Sequence, residues 1–499
     1  MEFNDLIKKL PNELFLEIAE NLYFEDLLRA RLVCKSWYQS FCGTDICAHV
    51  IQKQSPLPLD YYFKRFGLDY AQLDKKMKDD WHRKFMIKRI RREHGIASKI
   101  YELNFDLTDV RINQFLYSEG RVAVCYRDRF ILEDLYTRKQ SIFEFPANTN
   151  QRVSSCPFLC GKFLIYSLRE NTGGRPNHLL VIWNVITRRQ YLIPLVQVIR
   201  SSIHHQNQVG MLGTDPGYFR RYLFFFTWDE ENGLKTLLRV EYSEAPDEKN
   251  VIGSIFFHPI KKDVTFIVLF TRIDNMFDSL KYGTRITVHC FEAGQLIQTQ
   301  QEMMYTSNKP EEYRTSRFNN NDQIYFFVRE PPYGWVESRS RTQLPTRLEP
   351  PKKTLDETVY EHLIYDMGKR KFTYFKTHFH QTYSGSLFCH SSLIWNDQIL
   401  IRARHADEEK LQVITLSKNL TNLWDGSLES SNESRSRPER SSILCGETRS
   451  NCRITQFECD DKLSVNSEIR VYGDDNFVVL KAHKMAKVWQ FDDLTIQKS

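Results

Sequence analysis

Two histidines, His378 and His380, stand two residues apart in a stretch of strand-like pattern, with His390 close behind. Alternation of this kind sets side chains on one face of a strand, where imidazoles can share a metal ion. Phe379 between them reads instead as an ordinary strand with its polar residues turned outward. Cys156 and Cys160 lie four apart, and Cys445, Cys452 and Cys459 seven apart. Without a Cys-x-x-Cys pair or histidines nearby, neither spacing makes a zinc site. The carboxylate pairs Asp474-Asp475 and Asp492-Asp493 fall in turns, where aspartate serves the backbone. No Gly-x-Gly-x-x-Gly or Gly-x-x-x-x-Gly-Lys-(Ser/Thr) loop is present to cradle phosphate, and no Gly-x-Ser-x-Gly elbow or His-Glu-x-x-His helix occurs. The expectation is a chain with no catalytic residues, no metal and no cofactor.

The elements around these residues are strands. From residue 98 onward, short apolar runs alternate with turn signals, and almost nothing reads as a long amphipathic helix. Residues 131–143 align without gaps on residues 181–193, each a strand, a Thr-Arg-(Lys/Arg)-Gln turn and a returning strand. Residues 363–375 repeat the plan with a different turn. Blade-like units fall near 116–146, 158–195, 202–242, 250–301, 313–377, 384–420 and 450–492. One four-stranded unit cannot cover both its faces, whereas a closed ring of them can, so strand-only repeats of this length predict a β-propeller of about seven blades. The WD dipeptide survives only weakly, in Val181-Ile-Trp-Asn and Val488-Trp-Gln-Phe. One or two β-sandwiches are the main alternative. Residues 331–358, rich in Pro and charge, and the Ser-rich residues 426–450 interrupt the pattern and are expected to be mobile insertions.

The N-terminus is helical. Pro11 suits a first helical turn. Leu14, Ile18 and Leu22 follow at helical spacing on one face. Leu27 and Leu28 form a second apolar turn after Asp26, and Val33, Cys34, Trp37 and Phe41 line a third face. Three short helices in about thirty residues are too small to enclose a core of their own. They either cap a neighbouring domain or dock onto a partner. Further on, Trp81, Phe85 and Lys88 recur at helical spacing between Asp79-Asp80 and a run of arginines, an order that suits the helix dipole. Gly95 supplies the stop.

The ordered series Leu-Pro-x-Glu-Leu, Ile, Asp-Leu-Leu-x-x-Arg and Val-Cys-Lys-x-Trp, spread over residues 10–41, resembles an F-box. The resemblance covers about forty residues and implies docking onto the Skp-type adaptor of a Skp–cullin–F-box (SCF) ubiquitin ligase. The matching positions are Leu10, Pro11, Leu14, Ile18, Leu22, Leu27, Leu28, Val33, Cys34 and Trp37, some of which hold the helices together rather than touch the adaptor. Through the adaptor, the resemblance implies cullin and RING subunits as partners, and a protein substrate on the propeller. The Arg-rich helix is similar to the linker of F-box proteins that carry WD-type propellers. Such receptors often read phosphorylated segments with arginines, but nothing places Arg329, Arg402 or Arg404 at the channel. The expected organisation is multidomain: a small all-α F-box at residues 1–45, a helical linker at 46–97 and an all-β propeller at 98–499. A scaffold that binds the adaptor without cullin, and an enzyme with its site in the propeller channel, are the competing readings.

Bulk properties agree with a folded chain. It has 499 residues, 41% hydrophobic and 26% charged, and eleven cysteines without regular spacing, which read as reduced thiols. The first thirty residues lack the basic start and unbroken apolar run of a signal peptide, and no apolar stretch is long enough to cross a bilayer. A soluble protein of cytoplasm, nucleus or both is expected. The net charge of +6 sits almost wholly between Lys75 and Arg92, where nine basic residues face Asp79, Asp80 and the adjoining Glu93. The remainder is close to neutral, unlike a nucleic-acid binder with a broad basic face.

Overall fold

The computed structural model describes residues 10–22, 24–54, 70–106, 114–126, 129–145, 151–153, 157–170, 177–205, 207–215, 222–241, 248–258, 261–274, 282–306, 314–320, 323–329, 357–380, 393–395, 398–405, 408–415, 453–457, 470–474, 476–482 and 485–491. Residues 331–356 and 426–450, with His390, Cys156, Cys445, Cys452, Cys459, Asp475, Asp492 and Asp493, lie outside the described residues.

Among the described residues five α-helices come first: α1 (Asn12–Asn21), α2 (Phe24–Ala30), α3 (Lys35–Phe41), α4 (Thr44–Gln54) and α5 (Lys75–Glu93). They share one core, in which Phe15, Ala19, Phe24, Leu27, Phe41, Val50 and Ile51 pack with Trp81, Phe85 and Met86 of α5. The first three helices thus borrow their interior from α4 and α5, which answers the shortage of apolar surface in a thirty-residue unit. Helix α5 begins one turn earlier than its aspartates suggest. Asp74 caps it by accepting a hydrogen bond from the Met77 amide at 2.7 Å. It ends at His94, followed by Gly95 at φ +69°.

Strand β1 (Lys99–Glu102) follows α5 directly. The remaining strands fold into consecutive antiparallel sheets. The first holds β2 (Phe115–Ser118), β3 (Arg121–Cys125), β4 (Arg129–Asp134) and β5 (Lys139–Glu144). In the second, β6 (Gln151–Val153) and β7 (Phe158–Cys160) both pair with β8 (Phe163–Glu170), and β9 (Asn177–Asn184) and β10 (Gln190–Pro194) follow. The third is β11 (Val198–His205), β12 (Gln208–Thr214), β13 (Tyr222–Asp229) and β14 (Gly233–Glu241). The fourth is β15 (Glu248–Phe257), β16 (Val264–Asp274), β17 (Tyr282–Glu292) and β18 (Gln295–Thr306). The fifth is β19 (Arg314–Asn320), β20 (Gln323–Arg329), β21 (Glu357–Asp366) and β22 (Lys371–His380). The sixth is β23 (Leu393–Trp395), β24 (Gln398–His405), β25 (Glu408–Thr415) and β26 (Arg453–Phe457). The seventh is β27 (Arg470–Gly473), β28 (Phe477–Lys481) and β29 (Ala486–Gln490), completed on its outer side by β1.

The leading strands of the sheets touch in sequence, β2 to β7, β11, β15, β19, β23 and β27, and β27 returns to β2. That circuit makes a closed seven-bladed propeller. Apolar side chains fill the gaps between blades. Phe130, Phe143 and Tyr166 pack between the first and second, and Phe163, Ile182 and Trp228 between the second and third. Phe115, Val122, Phe477 and Val488 pack between the first and seventh. One boundary differs from the repeat reading. The strand at 453–457 completes the sixth blade, and the seventh takes its fourth strand from residues 99–102 instead.

The aligned hairpins share their turn chemistry. Asp134 and Asn184 stand at the same place in the repeat, and each accepts two hydrogen bonds from amides two and three residues on. Asp366 accepts one, from Lys369. Four residues after each of the three comes an arginine in the left-handed region, Arg138 at φ 58°, Arg188 at φ 57° and Arg370 at φ 54°. In the third blade Asp229 plays the same part, and Gly233 takes the left-handed place at φ 70°.

Candidate adaptor-docking site

Helix α1 turns Phe15 and Ala19 into the core and leaves Leu14 and Ile18 48% and 44% exposed. Phe15 packs on Phe41 with ring centroids 4.8 Å apart, and Trp37 lies 5.8 Å from the same ring, tying α1 to α3. Arg31 closes the turn between α2 and α3 by donating from Nε to the Phe41 carbonyl at 3.1 Å. The Cys34 Sγ accepts from the Trp37 amide at 3.5 Å and starts α3.

These contacts sort the candidate residues. Pro11, Leu14, Ile18, Val33 and Cys34 are exposed; Leu10, Leu22, Leu28 and Trp37 are half-buried. Leu27 is fully buried and offers no surface to a partner, so it belongs with the residues that hold the helices together. Leu22 does not share an exposed face with Leu14 and Ile18, because the chain leaves α1 at that residue in an extended conformation. Pro11 precedes α1 rather than entering its first turn, and its carbonyl accepts the first helical hydrogen bond from Phe15. Two exposed apolar side chains lie outside the matched series, Leu32 at 84% and Tyr38 at 56%. Leu32 adjoins Val33 in the turn before α3. An apolar residue in a turn, where no core periodicity explains it, is the signal by which it can be found.

Large apolar side chains exposed on so small a unit make it a candidate interaction surface. Its chemistry is a helical face presenting aliphatic and aromatic anchors to a complementary groove.

Helix α5 fixes this unit to the ring. His94 Nε2 lies 3.1 Å from Glu25 of α2. Lys88 Nζ donates to Asn476 Oδ1 at 2.9 Å, and Arg92 donates to the Asp474 carbonyl. The Arg92 guanidinium also lies over the Phe491 ring, 5.7 Å from its centroid. Asp474 and Asn476 belong to the turn between β27 and β28. The helix therefore seats on the end of the propeller where first strands pass to second strands, and the opposite end points away from it.

On the same end as the α5 seat, a polar cluster joins three blades. His204 Nε2 of β11 lies 3.3 Å from Glu119 Oε1, beyond the β2 terminus. Gly161 lies so near that a Cβ there would meet the imidazole at 2.7 Å. Cys160 Sγ sits 3.0 Å from Ser202 Oγ. Burial alone would lower the His204 pKa, but hydrogen bonding to Cys160 and Glu119 together with the Glu119 charge pushes it up to about 9. Beside it, burial and the neighbouring His204 hold His205 down to about 4.

Among the described residues no three His, Cys, Asp or Glu side chains group as a metal ion would need, and no helix is long and apolar enough to cross a membrane. Six described cysteines are free thiols. His378, His380, Arg329, Arg402 and Arg404 lie on strands β22, β20 and β24.

Residues 7–50 match the F-box-like family. No curated protein matches the chain. Among solved structures, the chain is similar to the β-propeller domain of the Trilobed protease from Pyrococcus furiosus. Identity is 12% and the TM-score 0.40, over 81% of this chain and 99% of that one. It is similar to the Neurospora crassa Pan2 WD40 domain at 8% identity and TM-score 0.35, over 76% and 89%. For the acylaminoacyl peptidase of Pyrococcus horikoshii the values are 11% and 0.39, over 80% and 53%. At these values the likenesses say nothing of function, and the ring stands on its own strand contacts. The chain carries an F-box-like domain followed by a seven-bladed β-propeller.

Proposed function

We propose that this chain is the substrate-recognition subunit of an SCF-type ubiquitin ligase. The reading rests on one observation above all. Leu14, Ile18, Leu32, Val33 and Tyr38 are exposed on an F-box-like unit whose own core is complete without them. They form the face for a Skp-type adaptor, which in turn brings cullin and RING subunits. The ring holds a protein substrate, at the end opposite the α5 seat. The receptor supplies no catalytic group of its own; it acts by raising the concentration of substrate near activated ubiquitin. Co-purification tests the reading. Recovery of the adaptor together with cullin supports it. Recovery of the adaptor alone favours a scaffold instead, and recovery of neither overturns both.

A further inference from the structure

At the α5 end of the ring, three adjacent blades bring together a thiol, an imidazole and a carboxylate. Strand β7 ends on Cys160, His204 of β11 hydrogen bonds with its side chain, and Glu119 follows β2. Ser118 pairs with Arg121, so Glu119 and Gly120 form a two-residue turn, at φ 47° and 70°. Such turns favour asparagine or aspartate before the glycine. Glutamate is strained in that left-handed place, and its longer side chain carries the carboxylate to His204, where Oε1 lies 3.3 Å from Nε2. Ser202 Oγ lies 3.0 Å from the Cys160 sulfur. A thiol against an imidazole that a third group orients is the arrangement that activates a sulfur nucleophile.

Access decides which reagent that sulfur can meet. Cys160 is 2% exposed, which shuts out a peptide, an acyl group or glutathione. The His204 and Glu119 side chains are 15% and 38% exposed, so the cluster meets solvent on their side and admits only a small molecule. We propose that Cys160 is a peroxide-sensitive thiol, which hydrogen peroxide converts to a sulfenic acid with His204 as the acid–base partner. His204 takes the thiol proton, and the thiolate sulfur attacks one peroxide oxygen. The S–O bond forms as the O–O bond breaks, and the leaving hydroxide takes the proton back from His204 as water. Sulfur is oxidised and the peroxide reduced by the same electron pair, so that thiol and peroxide give sulfenic acid and water. The added oxygen needs the space that Ser202 and His204 fill, so oxidation loosens the joint between the first three blades.

Cys47 supplies the comparison. It is also 2% exposed, but it lies against Arg31 and the Phe41 carbonyl, and burial pushes its pKa up to about 11. The full chain is treated with hydrogen peroxide, the excess is destroyed with catalase, and the chain is unfolded in dimedone and a thiol alkylator. Mass spectrometry then reads each cysteine. Cys160 should become a sulfenic acid about a hundredfold faster than Cys47, and faster than exposed Cys34. A bulky maleimide on the native chain should give the opposite order, with Cys34 labelled and Cys160 protected. His204→Gln should bring Cys160 down to the rate of Cys47 while leaving that protection intact; a merely loosened fold would lose the protection and react faster. The titratable groups facing His204 are Glu119, Cys160 and, on its own strand, His205. Glu119 is a positioning residue that acts through the imidazolium, so Glu119→Gln should move the alkaline fall of the peroxide rate to lower pH. An unmoved fall removes Glu119 from the site. Oxidation of Cys160 no faster than of Cys47, or a rate indifferent to His204→Gln, overturns the proposal.

Discussion

Lys88 donates a hydrogen bond to the side chain of Asn476 across 388 residues of sequence, at 2.9 Å. Asn476 in turn donates to the Tyr136 hydroxyl at 2.5 Å, so one amide ties together the helical arm, the seventh blade and the first. Arg92 reinforces the seat through the Asp474 carbonyl. Replacing Arg92 by Met leaves that carbonyl buried without its charged donor, a loss of about 1.5–3 kcal/mol. Limited proteolysis should then cut the chain between α5 and β1 faster than in the parent protein, while Lys88→Met gives a milder increase. An unchanged cleavage rate in Arg92→Met would remove the seat from the account.

The exposed apolar face has a direct test. Leu14→Asp together with Ile18→Asp should abolish adaptor binding in a pull-down or calorimetric titration, with the thermal transition of the ring unmoved. Interface anchors of this kind carry about 2 kcal/mol each, so the pair amounts to roughly a thousandfold in affinity. Leu27→Ala is the control. Its cost, about 2–5 kcal/mol, should fall on the stability of the helical unit. Binding that survives the double change would sink the docking assignment.

Protonation should act with opposite signs at two histidines. Burial, aided by Arg31 and Lys78, holds His82 down to about 4, so it stays neutral in the fold while the unfolded chain titrates near 6.5. Its contribution is complete above 6.5 and is lost as pH falls toward 4. His204, raised to about 9, stabilises the ring fully below 6.5 and loses that contribution as pH rises through 9. Denaturant midpoints across pH 4–10 should show both slopes. His204→Gln should flatten the alkaline one, and His82→Gln should make the acid one shallower, with His205, also held down to about 4, supplying the rest.

Strand β1 pairs along its whole length with β29, from Lys99 opposite Gln490 to Glu102 opposite Lys487. A chain that begins at residue 75 should therefore retain a cooperative ring. A chain that begins at residue 104 lacks the outer strand of the seventh blade and should melt earlier and over a broader range, as calorimetry would show. Equal transitions in the two would mean that β1 contributes nothing to closure.

Much of this organisation is legible in the chain because local rules repeat. The Asp134, Asn184 and Asp366 turns recur at fixed spacing, and a turn that needs one side-chain oxygen and one left-handed residue leaves the same trace each time. The blade limits were less legible after residue 380. There the repeat signal cannot tell that 453–457 ends one sheet, or that residues 99–102 complete another, because ring closure joins segments far apart in sequence. The docking face was half legible. Helical spacing groups Leu14 with Ile18, but it does not separate outward Leu14 from inward Phe15 when both neighbours are apolar. That choice is made by Phe41, whose ring Phe15 covers. Leu32 is marked only by its place in the turn before α3, and Tyr38 carries no spacing signal and emerges only from its exposure.

The place where β1 closes the ring has a mechanical meaning. The blade that completes the circle is also the blade from which the arm departs, only a few residues upstream. A pull on the arm is carried by the β1–β29 ladder and by the α5 seat in parallel, and passes on to the first blade, whose Arg138 guanidinium lies 3.8 Å from the centroid of the Tyr101 ring of β1. The seventh blade is therefore the joint of the molecule: stiffness there sets how faithfully a movement of one end is reproduced at the other.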